Sequence, residues 1–298
     1  DFVDAAWVND QIVVDLNDYL ALDTGADTLT LTGLNFHLQS GSGTTTDSGS
    51  LLGLGNLLIG YASGVTVDGS HNLIIGDDHT VSSYGGLVSG YSNQLDGAYG
   101  AVVGGLNNTV SGSYSVAVGG YNNVLTGVRA GALGGSFNTA NGDYSAVVSG
   151  SYNTASASYS TISGGTFNSA QGSTAAIVGG YGGIAVGTRS VVVGGQYGTA
   201  ADSSSAVFGG AFGEAWGQYS TVVGGNGGTA SGNYSVVTGG KNNSASGLYS
   251  SASGGISNNA SGDYSTVSAG GYNTASGYTS TVYAGTYETA TASSSYSP

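Results

Sequence analysis

A phase of 15 residues governs most of this chain and limits what it can fold into. Tyr219-Ser220, Tyr234-Ser235, Tyr249-Ser250 and Tyr264-Ser265 recur at that interval, and Tyr99, Tyr114, Tyr144 and Tyr159 hold the same phase upstream. Glycine pairs keep step from Gly104-Gly105 to Gly254-Gly255. Asparagine keeps step at Asn93, Asn108, Asn123, Asn138, Asn153, Asn168, Asn243, Asn258 and Asn273, and Gly183, Gly198, Gly213 and Gly228 take the same slot between them. A fixed period of this length marks a solenoid, in which each repeat buries its apolar face only against its neighbours. Asn and Gly both tolerate positive φ, so the slot they share is expected to be a left-handed turn residue.

Each coil reads as two short strands and two turns. One strand is Ser-x-Val-x-Gly, as in Ser190-Val191-Val192-Val193-Gly194, and the other is Asn-x-Ala-x-Gly, as in Asn138-Thr139-Ala140-Asn141-Gly142. Alternation at period 2 is the signature of a strand. The inward positions are then Ser220, Val222 and Gly224 on one side and Ala230 and Gly232 on the other. Small inward residues imply a thin, flattened coil, and coils stacked at about 4.8 Å line up like residues in ladders. The expected fold is all-β: a parallel β-solenoid, or β-roll, of 15-residue coils with an irregular N-terminal segment. The expected division is 1–50 as a cap or donor segment with entry strands, 51–80 as irregular first coils, 81–290 as the regular solenoid and 291–298 as a polar tail.

Composition narrows the classes further. The chain has 57 Gly but one Pro, and no Gly-x-y triplet, which excludes collagen. Valine, alanine and tyrosine that keep phase argue against a disordered Gly/Ser linker. A net charge of −14, with Arg129, Arg189 and Lys241 as the only cations, argues against nucleic acid and anionic membranes. No apolar run approaches the roughly 20 residues of a membrane span. Starting at Asp1 without Met, the chain is expected to be mature, its signal peptide removed. With no Cys, no Met and few Lys, it suits an extracellular, cell-surface or secreted setting.

The pattern Ala-Ser-Gly-x-Tyr-Ser-x-Val-x-Gly-Gly-x-x-Asn, clearest from Ala230-Ser231-Gly232 to Asn243 and from Ala245-Ser246-Gly247 to Asn258, resembles the head repeats of trimeric autotransporter adhesins (YadA-like, Hep/Hag). Similar repeats occur in phage and virus fibres. The resemblance covers about residues 84–290. It implies a left-handed parallel β-roll, a trimer, and a role in surface attachment. The coil here is one residue longer than the usual family repeat, and the chain shows neither a heptad stalk nor an anchor barrel. The usual means of display is therefore expected to be missing.

The Val strand is apolar on its outward side too: Ala101/Val103, Val116/Val118, Ala146/Val148, Ala176/Val178, Val191/Val193 and Ala206/Phe208, turning polar at Ser251/Ser253 and Thr266/Ser268. A strand apolar on both faces is normally covered on both. Coils 101–238 are expected to pack on another copy of the chain through Val103, Val118, Val148, Val178, Val191, Val193 and Phe208, or else to be covered by the N-terminal segment. The other outward face is polar, as in Thr109/Ser111, Thr139/Asn141 and Thr274/Ser276, with breaks at Ile184/Val186 and Glu214/Trp216.

The ends are treated differently. The C-terminal coil, Thr286-Tyr287-Glu288-Thr289-Ala290, is still in phase and offers no obvious cap, whereas residues 1–22 are off-pattern and apolar. Residues 28–38 and 56–76 read as entry coils. Residues 1–22 are expected either to cap their own first coil or to add a strand, at Gln11, Ile12, Val13, Val14, Asp15 and Leu16, to the open end of a neighbour. A contact of that second kind does not close, and it makes a filament.

No constellation for catalysis can be assembled, so an enzyme is not expected. Asp77-Asp78-His79 is the one acid–His cluster and reads as a solvated turn. No cofactor is expected; the one ion the acid-rich first 78 residues could hold is a structural Ca²⁺, though EF-hand spacing is absent. The leading functional expectation is a homopolymeric extracellular filament subunit with an adhesive role, its partners being itself and a cell or abiotic surface. The alternative is the head of a trimeric adhesin or phage fibre. An ice-binding solenoid stands third, because Thr-x-Thr columns are not sustained.

Overall fold

The 15-residue period becomes geometry through backbone pairing. In the computed structural model each coil contributes one strand to each of two parallel ladders. The structure describes the backbone of residues 7–8, 11–12, 20–23 and 28–31, and then residues 37–38, 44–46 and 53–297. Two compact units result, Asp1–Leu38 and Gln39–Pro298. Among the described residues all regular structure is strand.

In the second unit, sheet I has 16 strands and runs from Thr66–Val67 to Thr289–Ala290. Sheet II begins at Leu57–Ile59 and ends at Tyr296–Ser297. Neighbours are parallel throughout, so Thr139 pairs with Thr154 and Val192 with Val207. The first steps are irregular in length only. Leu57 pairs with Leu73, Leu73 with Leu87 and Leu87 with Ala101, before Ala101 pairs with Val116 and the 15-residue step takes over. The irregular first coils therefore belong to the same two sheets. A third ladder of single bridges at the corner, from Tyr91↔Leu106 to Gly271↔Thr286, ties the coils together between the sheets.

The core is one side chain thick. Sheet I contributes Val81, Leu95, Val110, Leu125 and then alanine from Ala140 to Ala290, all at most 2% exposed. Sheet II contributes Ile74, Val88, Val102, Ala117, Ala132, Val147, Ile162, Ile177 and Val192 onward. In the middle coils the sizes alternate along the chain: Leu125 lies between Ala117 and Ala132, and Ala155 and Ala170 lie between Val147, Ile162 and Ile177. A close-packed interior with fixed sheet separation needs this matching.

The Asn slot is not left-handed. Positive φ falls one residue earlier, at Asn107, Asn122, Phe137, Tyr152 and Phe167, and again at the Tyr of Tyr-Ser, as in Tyr144 and Tyr234. The Asn side chains instead point into the coil and are buried. Gly224 and Gly194 are not inward: both are half-buried corner residues with φ of +66° and +64°. Gly232 is buried, and a Cβ there would meet the carbonyl oxygen of Gly247, the same slot one coil on, at 2.0 Å.

Of the expected entry coil 28–38, Thr28–Leu31 instead pairs antiparallel with Leu20–Asp23 in the first unit, placing Leu20 opposite Leu31, and residues 32–36 lie outside the described residues. Residues 291–297 are not a free tail, since Tyr296–Ser297 pairs with Thr281–Val282 and completes the last coil.

Candidate assembly faces

The Asn slot builds an internal ladder. Each buried Asn accepts, on Oδ1, the backbone N–H of the same slot one coil on: Asn108 N to Asn93 Oδ1 is 2.8 Å, Asn138 N to Asn123 Oδ1 is 3.0 Å, and Asn273 N to Asn258 Oδ1 is 3.1 Å. Asn123, Asn153, Asn168 and Asn258 are bonded in the same way, to Asn108, Asn138, Asn153 and Asn243. Each Nδ2 donates to the carbonyl of a corner glycine, as in Asn153 to Gly165 at 3.0 Å and Asn243 to Gly255 at 3.3 Å. The turn residues are thus held by side chains that replace water at a buried corner. Gly183 keeps its N–H on Asn168 Oδ1 at 2.8 Å while itself supplying no acceptor side chain.

Two non-Asn residues close this ladder. At the N-terminal end His79 is fully buried; its Nδ1 accepts the Asn93 N–H at 3.2 Å and its Nε2 contacts the Ile75 carbonyl at 3.1 Å. At the C-terminal end Glu288 holds the slot. Its N–H donates to Asn273 Oδ1 at 2.9 Å, and Ser297 Oγ donates to Glu288 Oε2 at 2.6 Å. The last coil, expected to be uncapped, carries this carboxylate–hydroxyl contact at its end.

The Asp77-Asp78-His79 cluster separates in space. Asp77 Oδ1 accepts the Ser63 N–H at 3.0 Å. Asp78 lies by Tyr91, whose phenol it holds above the ordinary range by hydrogen bond first and by charge second. His79 turns inward. Among the described residues no group of three or more His, Cys, Asp or Glu is placed to hold a metal ion, and no helix is long and apolar enough to cross a membrane.

The apolar outer stripe on sheet II is present as surface. Val103, Val118, Val148, Val178 and Phe208 are exposed, and Val191 and Val193 are half-buried. Leu133 and Val223, which the sequence reading passed over, extend it, as do Ile59 and Ile75 toward the N-terminal end. From Leu57 to Tyr283 neither outward column of this sheet carries a charged residue, although the chain as a whole has a net charge of −14. One corner beside the stripe is bare glycine: a Cβ on Gly104, Gly119, Gly194, Gly209 or Gly224 would meet nothing within 4 Å. Of the proposed donor strand, Gln11–Ile12 pairs antiparallel with Trp7–Val8. Val13, Val14, Asp15 and Leu16 lie outside the described residues.

Two aromatic columns run along the corners. The first was anticipated through the Tyr-Ser phase and includes Tyr144–Tyr159, stacked at 4.8 Å, and Tyr219–Tyr234 at 5.0 Å. Arg129 fills one place in it, 5.2 Å from the ring centroids of both Tyr114 and Tyr144, with Nη1 donating to Tyr144 Oη. The second column, Tyr121–Phe137–Tyr152–Phe167–Tyr181–Tyr197–Phe212, was missed. Its signal was present, since Phe137, Tyr152, Phe167, Tyr197 and Phe212 share the slot just before the Asn. Within it, hydrogen bonding to Tyr181 raises the Tyr197 phenol above its ordinary range.

These features define a parallel β-solenoid repeat protein whose interior is a ladder and whose exterior offers one uncharged apolar face. The chain matches no family model and no curated protein. The architecture is compatible with a β-roll repeat.

Proposed function

We propose that the chain is a self-associating extracellular structural protein, a subunit of a homopolymeric surface filament or fibre with an adhesive role. The observation that carries this reading is the uncharged stripe on sheet II. At about 4.8 Å per coil it runs roughly 50–60 Å, and two outward side chains make it about 10 Å wide. Pairing it with a second copy removes on the order of 1,000 Å² in total, near the lower limit for a specific interface. A monomer seldom leaves so continuous an apolar strip in water.

A second reading, the head of a trimeric adhesin or phage fibre, is favoured by the repeat resemblance. It uses the same face around a three-fold axis. Electron microscopy with sedimentation of the purified chain separates the two: filaments support the first reading and discrete trimers the second. Val193→Arg places a charge in the stripe and should reduce the assembled mass, whereas Thr139→Arg on sheet I should not. Unchanged assembly of Val193→Arg, or a wild-type chain that stays monomeric at high concentration, would overturn self-association through this face.

A further inference from the structure

The columns of aromatic rings differ in chemistry as well as in place. From Tyr219 to Tyr278 the first column is unbroken phenol. Tyr219–Tyr234 stack at 5.0 Å, Tyr234–Tyr249 at 4.7 Å and Tyr249–Tyr264 at 5.2 Å, and Tyr264–Tyr278 meet edge to face at 5.5 Å. Elsewhere the phenol runs are shorter: Tyr84, Tyr99 and Tyr114 make a run of three, and Tyr272 and Tyr287 a stacked pair. Phe137, Phe167 and Phe212 break the second column, and a benzene ring gives up an electron far less readily than a phenol. Upstream in the first column the Arg129 guanidinium separates Tyr114 from Tyr144, and its positive charge opposes a second one nearby. Thr174, Arg189 and Ser204 then occupy the slot before Tyr219.

In the stacked part of this run, ring faces cover one another, so what remains open to solvent is mostly ring edge. Tyr219 and Tyr234 are both 43% exposed, and Tyr249 is 47% exposed. That edge carries Oη and the two ortho carbons, where the spin of a phenoxyl radical resides. The chain has no Cys and no Met, the two side chains that would otherwise intercept an oxidant.

We propose that Tyr219–Tyr278 is an oxidative modification site, at which a heme peroxidase with hydrogen peroxide joins this column to the same column of a second copy as dityrosine. Each phenol loses one electron to the peroxidase and its Oη proton to water. The two electrons and two protons reduce one hydrogen peroxide to two waters. The two phenoxyl radicals form one carbon–carbon bond between ortho carbons. Each of those carbons then releases its hydrogen as a proton and each Oη regains one, which restores both aromatic rings. The sum is two tyrosines and one hydrogen peroxide giving one dityrosine and two waters. Coupling within one stack is disfavoured, because parallel rings anchored on successive coils meet face to face, whereas a biaryl bond needs edge to edge. Ring contact along the column lets the radical move between phenols until an edge from another copy arrives.

The site is separate from the apolar stripe, and the test keeps them apart. The full chain is treated with a heme peroxidase and hydrogen peroxide. Dityrosine fluorescence, covalent multimers on denaturing gels and cross-linked peptides by mass spectrometry are then read. The cross-links should map to Tyr219, Tyr234, Tyr249, Tyr264 and Tyr278. The triple variant Tyr234→Phe, Tyr249→Phe, Tyr264→Phe should lose most of the multimer, several-fold below wild type. It keeps ring stacking of the kind seen at 4.8 Å between Phe137 and Tyr152, and circular dichroism checks that it folds. Tyr152→Phe with Tyr197→Phe should cross-link as wild type. The proposal is overturned by any of three results: no covalent multimer forms, the triple variant cross-links as wild type, or the cross-links follow exposure alone, which would select Tyr61 at 99%, Tyr287 at 72% and Tyr296 at 71%. Val193→Arg should retain the same cross-linked residues, so failure of the stripe and failure of this site are distinguishable.

Discussion

At the scale of single residues, the two buried polar columns do different things. An Asn in the slot before sheet I is bonded on both ends of its amide. Asn138 accepts from the Asn153 N–H at 3.1 Å and donates to the Gly150 carbonyl at 3.0 Å. Removing it leaves the buried Asn153 N–H without a partner, at a cost of about 1–3 kcal/mol, whereas the Gly150 carbonyl keeps the Ser136 N–H at 3.0 Å. The Ser before sheet II is less committed. Ser160 and Ser205 bond the carbonyl three residues back, at 2.6 Å in each case, whereas Ser220 Oγ and Ser235 Oγ are buried without a hydrogen-bond partner. Alanine already holds this place at Ala130 and Ala175. Asn138→Ala should therefore lower stability by about 1–3 kcal/mol, while Ser220→Ala should change it by less than about 0.5 kcal/mol or raise it. Urea midpoints of the two variants check this, and equal losses would contradict it. That an Asn slot existed was plain from its spacing. That its side chain faced inward was not, because Asn suits a left-handed turn and a buried ladder equally well, and only the stacked coil distinguishes them.

The element that repeats is a coil whose glycines meet different constraints, and the substitutions each tolerates differ for physical reasons. At the end of the Asn-x-Ala-x-Gly strand the constraint is space. A Cβ on Gly217 would meet the Gly232 carbonyl oxygen at 2.1 Å, and one on Gly232 would meet that of Gly247 at 2.0 Å. At the first Gly of each Gly-Gly pair the constraint is φ alone, since Gly209 and Gly224 face open space at +66°. Gly232→Val should cost about 1–3 kcal/mol or more by forcing two coils apart. Gly224→Asn should cost only a few tenths of a kcal/mol, because Asn visits the left-handed region readily. Thermal melts of the pair are the measurement; a Gly224→Asn loss as large as that of Gly232→Val would show that the corner is packed in solution. The second aromatic column belongs to this scale as well. Phe137, Tyr152, Phe167, Tyr197 and Phe212 of that column take positive φ at a cost, and ring stacking with the coils on either side offsets part of it.

Across the whole molecule, interactions reach one coil up and one coil down, so stability is nearly additive along the axis. Deleting one full period, residues 229–243, should bring Gly228 against Ser244 in register and leave a folded, shorter solenoid. Deleting eight residues instead should exchange sheet I for sheet II below the cut, turn inward residues outward and destroy folding of those coils. Circular dichroism and limited proteolysis distinguish the two. The same additivity gives each end its own character. Leu58, on an inner column, is exposed at the N-terminal end, while Glu288 and Ser297 make the C-terminal end polar.

The sequence by itself determined the period, the parallel stacking, the alternation of inward and outward residues, the apolar stripe and the first tyrosine column, because each follows from a residue type repeated at fixed spacing along one chain. Only the tertiary structure decided which residue of each corner is left-handed, which glycines are required by space, where the second aromatic column runs, how Arg129 fits between two rings, and that the last residues complete a coil rather than trail from it. Those outcomes depend on what the next coil places a few ångströms away, and a linear pattern lists the neighbours without saying how they touch.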